Sequence, residues 1–535
     1  MNLTLNISWL NKIGGFFNRH TSLIVGIFLA IISILNFVIF YQNGLGIAYN
    51  DARSHLDISR RVVENLTPGF SQLGSVWLPL PHILATLTIW NDFMWHSGLS
   101  GAIQSMVSFV ATGVLIYKIL GLMNVGTFGR IAGVIVFVLN LNILYMQSTA
   151  MTELLLLGTM TASVYELIQW HREEKMNHLI KAGFWVMLAT LIRYDGWFLL
   201  VYSAGLIVLH AFRKFGYKTT EGMILLYGTL AGFGIALWFF WNLMIFGDPL
   251  YFAFGEYSAN AQQTALEEAG ILATKHNLPF SIQTYVYAMI YNVGLFATIL
   301  SVIGMVMFWF DKKVKGSIRI AATALLAPFM FNIIALYLGH SVLFVQGLHG
   351  NSWFNVRYGL MMVPSIAVFV GYLLHRAKNL RYILLGLLVF VSTIGIINQD
   401  AVTIDDARVG ASGKNVEEAS GWLRDNVTNQ EGFVMIAVAS HDAIIFSSGL
   451  PMTRFIHEGT GNYWTQATSH PSRWARWIVV RTNDDTDLTW RTLKRNKEFQ
   501  TRYNIVRTLP FADIYELKPE FVQDLHTEEV PELRN

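Results

Sequence analysis

The sequence predicts an α-helical polytopic membrane protein of about eleven transmembrane helices, followed by a C-terminal extracytoplasmic α/β domain. Three observations carry this reading. The chain of 535 residues is 53% hydrophobic and only 14% charged, whereas soluble domains carry about 25% charged residues. The charge is also uneven. Residues 1–398 hold 23 Lys and Arg and 15 Asp and Glu, and residues 399–535 hold 15 and 20. About a tenth of the first part is therefore charged and about a quarter of the second, the latter usual for a domain in water. Finally, the cations of the first part are concentrated on one side of the helices that the apolar runs define. An ordinary soluble enzyme and a disordered chain are excluded. The absence of cysteine removes disulfide scaffolds, thiolate metal sites and thiol catalysis. A net charge of +3 is too small to argue for a polyanionic partner, nucleic acid included.

A spanning helix needs about 20 mostly apolar residues. The first runs from Leu23 to Tyr41, behind Lys12 and Arg19. It is too long for a signal-peptide core and no small-residue cleavage site follows, so it reads as an anchor. Further spans are expected near 101–121, 130–147, 153–169, 180–192, 196–212, 222–245, 285–310, 320–339, 357–375 and 382–398. The stretch 180–212 is one very long helix or two short ones, broken at Arg193-Tyr194-Asp195-Gly196-Trp197. With the N-terminus inside, 17 Lys and Arg fall at inner positions and six at outer ones (Arg53, Arg60, Arg61, Arg193, Lys275 and Arg357), a positive-inside bias. A single span over 180–212 would turn the basic clusters at 312–319 and 376–381 to the wrong side, so two are expected. The body is thus 1–398, with a first outer loop at 42–100, and the outer domain is 399–535. The setting is the cytoplasmic membrane of a prokaryote, or the endoplasmic reticulum membrane of a eukaryote, with the N-terminus cytoplasmic.

Two outer loops, 42–100 and 246–284, are long and aromatic-rich, and loops of that length are uncommon unless functional or disordered. Within the first, 76–91 is apolar but short and carries two prolines, which predicts a re-entrant or interfacial helix. In the tail, 433–439, 454–457 and 477–482 read as strands between helical stretches at 415–426, 440–448 and 486–499, and 503–517 as a strand or hairpin. That alternation suggests a small parallel α/β domain. Asn65-Leu66-Thr67 and Asn426-Val427-Thr428 are outward-facing glycosylation triplets, of a kind that also arises by chance.

Asp51 is the most informative residue. It follows the first span and shares a helix face with His55 and, less closely, Ile58, while Asp57, Arg60, Arg61 and Glu64 make i,i+3 or i,i+4 pairs on another. Either Asn50 or Asp51 caps a membrane-surface helix, or Asp51 is a general base that takes a proton from an acceptor hydroxyl. Glu153 opens the apolar run of the fourth span, where it is a helix-start carboxylate or faces a cavity or partner. Asp51, His55 and Glu153 would make chemically reasonable ligands for a divalent metal. Arg193 and Asp195 read as an ion pair at the half-helix ends, and Arg357 as an interfacial snorkelling residue. The alternative for both arginines is a clamp on an anionic lipid phosphate, which guanidinium geometry suits. Lys275, His340 and His349 are weaker candidates of that kind.

An acidic residue after the first span, Met151-Thr152-Glu153 opening the fourth, Arg193 to Trp197 between the fifth and sixth, Arg357-Tyr358 leading to Met361-Met362-Val363-Pro364, and an exported tail together resemble the GT-C superfamily of polytopic glycosyltransferases. The nearest likeness is to the protein O-mannosyltransferases and lipid A aminoarabinose transferases. It covers 1–398 and, more loosely, the tail. The resemblance implies an inverting transfer of a sugar from a polyprenyl-phosphate carrier to a hydroxyl of a protein, lipid or glycan acceptor at the outer face, with membrane lipids around it. Asp51 matches the family's base, and Glu153 matches its second acidic position. The expected substrate- and donor-contacting set is Glu153, Arg193, Asp195, Arg357, Tyr358, His55 and Arg53. Departures are Ala52, where the mannosyltransferases have Glu after the Asp, and the lack of a Trp-Trp-Asp signature. A transporter or lipid-linked-sugar flippase is the alternative. It predicts ionisable residues near the midplane and an inverted repeat, whereas the acidic residues Asp51, Asp57, Glu153, Asp195, Asp248 and Glu256 fall at the outer face and no repeat is visible.

Overall fold

In hydrocarbon, apolar segments must close every backbone hydrogen bond internally, and helices account for most of the chain. The computed structural model describes residues 8–255, 258–268, 270–410 and 416–526; Glu256 lies outside them. The chain forms two compact units, Met1–Gly46 with Ala102–Gly410, and Ile47–Gly101 with Ala411–Asn535. Most of the expected loop at 42–100 is thus grouped with the tail, and the segment from 399 to Gly410 with the apolar helices.

In the first unit, seven helices among the described residues are long and apolar enough to cross a membrane, or eight if one bent pair is a single span. That pair replaces the straight span expected at 285–310. The chain bends by 109° between the helices Leu278–Val293 and Leu295–Phe310. Gly294 between them has φ +90°, a conformation glycine adopts freely and other residues adopt at a cost. Three further expected positions hold shorter or more polar helices. The stretch 130–147 is Thr127–Val138 and Leu141–Met146, separated where Asn140 accepts a hydrogen bond from the Ile143 N–H. The other two are Glu153–Glu173 and Met176–Thr190.

The stretch 180–212 is two helices, Met176–Thr190 and Asp195–Phe215, packed on each other. Gly196 makes the join tight. A Cβ there would fall 2.4 Å from the Ala189 carbonyl carbon, so any larger residue would push the second helix away. Trp197 closes the break by donating its indole N–H to the Thr190 carbonyl at 2.9 Å. The outward faces are apolar: in the helix Leu380–Ile397 only Leu388 is buried. The first unit is the body of a multi-pass membrane protein.

In the second unit the tail forms a five-stranded sheet of order β2-β1-β3-β5-β4. Its strands are β1 (Phe433–Met435), β2 (Phe455–Ile456), β3 (Ala475–Val480), β4 (Tyr503–Thr508) and β5 (Asp513–Leu517). The pairs β1/β2 and β1/β3 are parallel, and β3/β5 and β4/β5 antiparallel, so the expected parallel sheet is mixed. The run 433–439 is a strand for only three residues, because the helix Val438–Ser448 begins directly after it. The expected helix 486–499 is two, Leu488–Leu493 and Lys497–Arg502, the second capped by Asn496. The apolar stretch 76–91 contains one short helix, Leu80–Ala85, and leaves Ile83, Leu84, Leu87 and Trp90 exposed.

Beyond the carboxyl end of β3 sits a buried polar knot. The Asp487 carboxylate accepts from the N–H groups of Thr489 at 2.8 Å, Trp490 at 3.2 Å and Arg481 at 2.9 Å, and meets His441 Nε2 at 2.7 Å. Burial pushes its pKa up, but the His441 contact and the Arg481 and Trp490 N–H groups outweigh burial and hold the carboxyl below its ordinary range. A depressed carboxylate adds stability above its unfolded pKa of about 3.9, and that stability is lost as pH falls through the folded value. Asp487→Ala should lower stability by about 3–5 kcal/mol at neutral pH and flatten its decline below about pH 4. Unfolding of the full chain followed by pulse proteolysis of the tail checks both.

Candidate functional site

Ionisable groups in a membrane body must find partners, because low dielectric penalises a lone charge. The first unit satisfies this at the starts and breaks of its helices. Glu153, the first residue of Glu153–Glu173, is completely buried. Its Oε1 accepts from Arg357 Nε at 2.9 Å and from Arg193 Nη1 at 3.2 Å. Arg193 also donates to Thr152 Oγ1 at 3.3 Å and to Asp195 Oδ2 at 3.4 Å. Arg357 Nη1 stands 3.9 Å from Asp406 Oδ2, itself fully buried. The Tyr358 ring lies beneath both guanidinium groups, 4.9 Å from that of Arg193 and 5.5 Å from that of Arg357, in cation–π range.

Five residues singled out in the sequence, Glu153, Arg193, Asp195, Arg357 and Tyr358, are therefore one cluster. The two arginines differ in what they can do. The Arg357 side chain is 3% exposed and committed to two carboxylates, and that of Arg193 is 21% exposed. Arg193 is the more accessible of the two, and Arg357 lies against Glu153 and near Asp406. Asp406 was missed because it lies past the last span, on the tail side of the expected boundary. It is brought in by the helix Val402–Val409, which Asn142 ties down by accepting from the Thr403 N–H at 3.0 Å and hydroxyl at 2.8 Å. The only sequence signal was an acidic pair, Asp405-Asp406, directly after an apolar run. One turn along the same helices, Leu157, Thr161, Met361, Pro364 and Ser365 line a mainly apolar pocket.

The weaker candidates are locally engaged. Lys275 pairs with Glu267 at 2.5 Å, His340 contacts Gln263 at 3.3 Å, and His349 accepts from the Val345 N–H at 3.3 Å.

In the second unit, Asp51, Arg53 and His55 lie on the helix Asn50–Val63. Its N-cap is Tyr49, which makes no side-chain cap bond, and Asp51 sits half-buried in the first turn. His55 is one turn on. Its Nδ1 is 2.8 Å from His82 Nε2, and its ring packs 4.3 Å from Trp77. Burial drives the pKa of His82 well below the usual histidine value, with His55 and Arg61 acting in the same direction. Arg53 donates to the Ile47 carbonyl at 2.9 Å, on the opposite side of the helix from Asp51. Asp57 is fully buried and accepts from the Trp95 indole at 3.0 Å; burial pushes its carboxyl well above the usual range, against Arg61. Of the expected helix pairs, Arg60 with Glu64 is formed, and Arg60 also reaches Asp92 at 2.6 Å.

The metal reading of Asp51, His55 and Glu153 gains no support. Among the described residues, no group of three or more His, Asp or Glu side chains could hold a metal ion. His55 is engaged by His82 and Glu153 by two arginines.

Removing one partner of a buried ion pair costs about 3–5 kcal/mol. Arg357→Ala and Arg193→Ala should therefore each lower the thermal stability of the full chain in detergent markedly, since the first strips a partner from Glu153 and the second from Glu153 and Asp195. An unchanged melting temperature in either variant would show that its carboxylates do not depend on it.

No protein-family model matches this chain, and no curated protein sequence does. Solved structures do. ArnT from Cupriavidus metallidurans bound to undecaprenyl phosphate superposes with a TM-score of 0.57 over 91% of this chain and 98% of that one, at 9% identity. Its apo state gives 0.51 with the same coverage at 10% identity. The Archaeoglobus fulgidus oligosaccharyltransferase in complex with zinc and sulfate gives 0.50 over 85% of this chain and 67% of that one, at 11% identity. At such identities the likeness is one of fold: this chain has a GT-C-like architecture, helical body and tail included.

Proposed function

We propose that the chain is an inverting glycosyltransferase that moves a sugar from a polyprenyl-phosphate carrier to an acceptor hydroxyl at the outer membrane face. The observation that carries this reading is the near full-length agreement in fold with a structure that holds undecaprenyl phosphate. The agreement with an oligosaccharyltransferase, over less of that chain, supports saccharide transfer as the class of reaction.

Asp51 is the base. Its carboxylate takes the proton of the acceptor hydroxyl while that oxygen attacks the anomeric carbon. The bond from that carbon to the phosphate oxygen breaks, and the polyprenyl phosphate leaves with the electron pair. A general base contributes about 10²–10⁴-fold. The negative charge that grows on the leaving phosphate is stabilised by a preorganised cation. Arg193 suits this role, being the partly exposed guanidinium of its cluster and braced by Glu153, Asp195 and Tyr358. Arg357 acts one step removed, by holding Glu153.

Transfer is measured with radiolabelled polyprenyl-phosphate sugars and the full chain in lipid nanodiscs. Asp51→Asn should reduce turnover by about 10²-fold or more with expression and melting unchanged; near-parental turnover would remove Asp51 from the role of base. Arg193→Ala should raise the donor KM and weaken competition by free undecaprenyl phosphate. Undiminished competition would transfer that role to another cation. A transporter would move the lipid-linked sugar across the bilayer without releasing labelled acceptor.

A further inference from the structure

A helix that bends sharply in an apolar body leaves backbone groups at the bend without their intrahelical partners. What satisfies them shows what the bend holds together. Between Leu278–Val293 and Leu295–Phe310 the chain turns by 109° at Gly294. In a straight helix the Asn292 carbonyl would accept from the N–H four residues on. Here it accepts from two side chains at the start of Leu141–Met146, Asn140 Nδ2 at 2.8 Å and Asn142 Nδ2 at 3.1 Å. Asn142 and Asn292 are both buried.

The Asn292 side chain works in the other direction. Its Nδ2 donates to the Val356 carbonyl at 2.7 Å and to that of Ala288, one turn back, at 2.8 Å. Val356 opens the helical turn that carries Arg357 and Tyr358. Tyr285, Ala288 and Asn292 are spaced i, i+3 and i+7, on one face of Leu278–Val293, and all three meet that turn. The Tyr285 hydroxyl donates to the Tyr358 carbonyl at 3.2 Å. Gly359 approaches so closely that a Cβ on it would fall 2.4 Å from the Ala288 carbonyl oxygen. The turn is laid along the helix backbone against backbone, and Asn292 pins its first residue.

The same run of amides reaches the helix that holds Asp406. Asn142 Oδ1 accepts from the Thr403 N–H at 3.0 Å and hydroxyl at 2.8 Å. An amide suits this place because it donates and accepts at once. Buried hydrogen bonds thus lead from Val356 through Asn292 and Asn142 to Thr403. Arg357, next to one end, and Asp406, one turn from the other, stand 3.9 Å apart.

We infer that Asn292 is a positioning residue for the charged cluster: it sets the Arg357–Tyr358 turn against the helix of Asp406, and so places the Tyr358 ring over which the Arg193 guanidinium lies. The bend at Gly294 serves this by turning the Asn292 carbonyl out of its own helix toward Asn140 and Asn142. The inference rests on the function proposed above, in that the cluster is taken to meet the donor phosphate through Arg193.

Asn292→Leu keeps the bulk of the side chain and removes its donor. Thr403→Val is milder, taking only the hydroxyl at the far end of the run, and Thr403→Ser returns it. In the full chain in nanodiscs, hydrogen exchange read by mass spectrometry should quicken over 356–362 in Asn292→Leu. Binding of undecaprenyl phosphate should weaken about threefold to tenfold, the worth of one hydrogen bond. The donor KM should rise by the same factor with kcat within about twofold. Thr403→Val should shift binding in the same direction by less, and Thr403→Ser should restore it; this pair carries the comparison if Asn292→Leu does not fold. Unchanged exchange over 356–362 would overturn the hold on the turn. A fall in kcat at constant donor KM would mean loss of folded protein and overturn the positioning role. So would parental binding in Asn292→Leu and Thr403→Val where Arg193→Ala weakens it. Undiminished binding in Arg193→Ala, with faster exchange in Asn292→Leu, would overturn the donor reading of the cluster and uphold the hold on the turn.

Discussion

The burial of Glu153 between two guanidinium groups is the constraint on which the membrane unit depends. Its carboxylate is fully buried, and Arg357, at 2.9 Å, is almost so. In a medium of low dielectric neither charge is tolerable without the other. Their pairing therefore helps to tie together the start of Glu153–Glu173, the break before Asp195–Phe215, the short helical turn that opens at Val356, and, through Asp406, the helix Val402–Val409. Helix ends, where backbone groups lack intrahelical partners, are also where such charges fit best. The cluster thus fixes the mouth of the body, while the rest of its helices are free to be apolar.

The same physics divides labour among side chains that look equivalent in sequence. Two arginines beside tyrosines or aspartates invite the same reading, that of a phosphate clamp. Only their burial separates them. Both guanidinium groups serve carboxylates, so their donors do not separate them; Arg193 is the one that is partly exposed, over the Tyr358 ring. In the second unit, Arg53 and Asp51 are two residues apart and point to different sides of one helix. Proximity along the chain is therefore a poor guide to shared function there.

Much of the fold was legible in the sequence. Apolar runs and the charge split marked the membrane body and the tail, and the sidedness of the cations required a break near Arg193. The structure has that break, at Leu191–Tyr194. The bend at Gly294 was not legible, because a single glycine in an apolar run carries no hydropathy signal. Five members of the charged cluster could be named in advance, since ionisable residues are rare in apolar segments and must serve some purpose. Asp406 and His82 could not be named. Each lies in a stretch where polar residues are ordinary, and each matters only through a distant partner.

What the sequence determined by itself was which segments face lipid and which face water, and which few charges would need partners. These are properties of composition, summed over neighbouring residues, and no tertiary contact is needed to state them. The tertiary structure alone decided who the partners are. Glu153 and Arg357 are 204 positions apart, and Glu64 and Met452 are 388 apart. Which side chains share one low-dielectric volume is settled by the packing of whole helices and strands. That packing set Arg357 against Glu153 and grouped the loop at 47–101 with the tail.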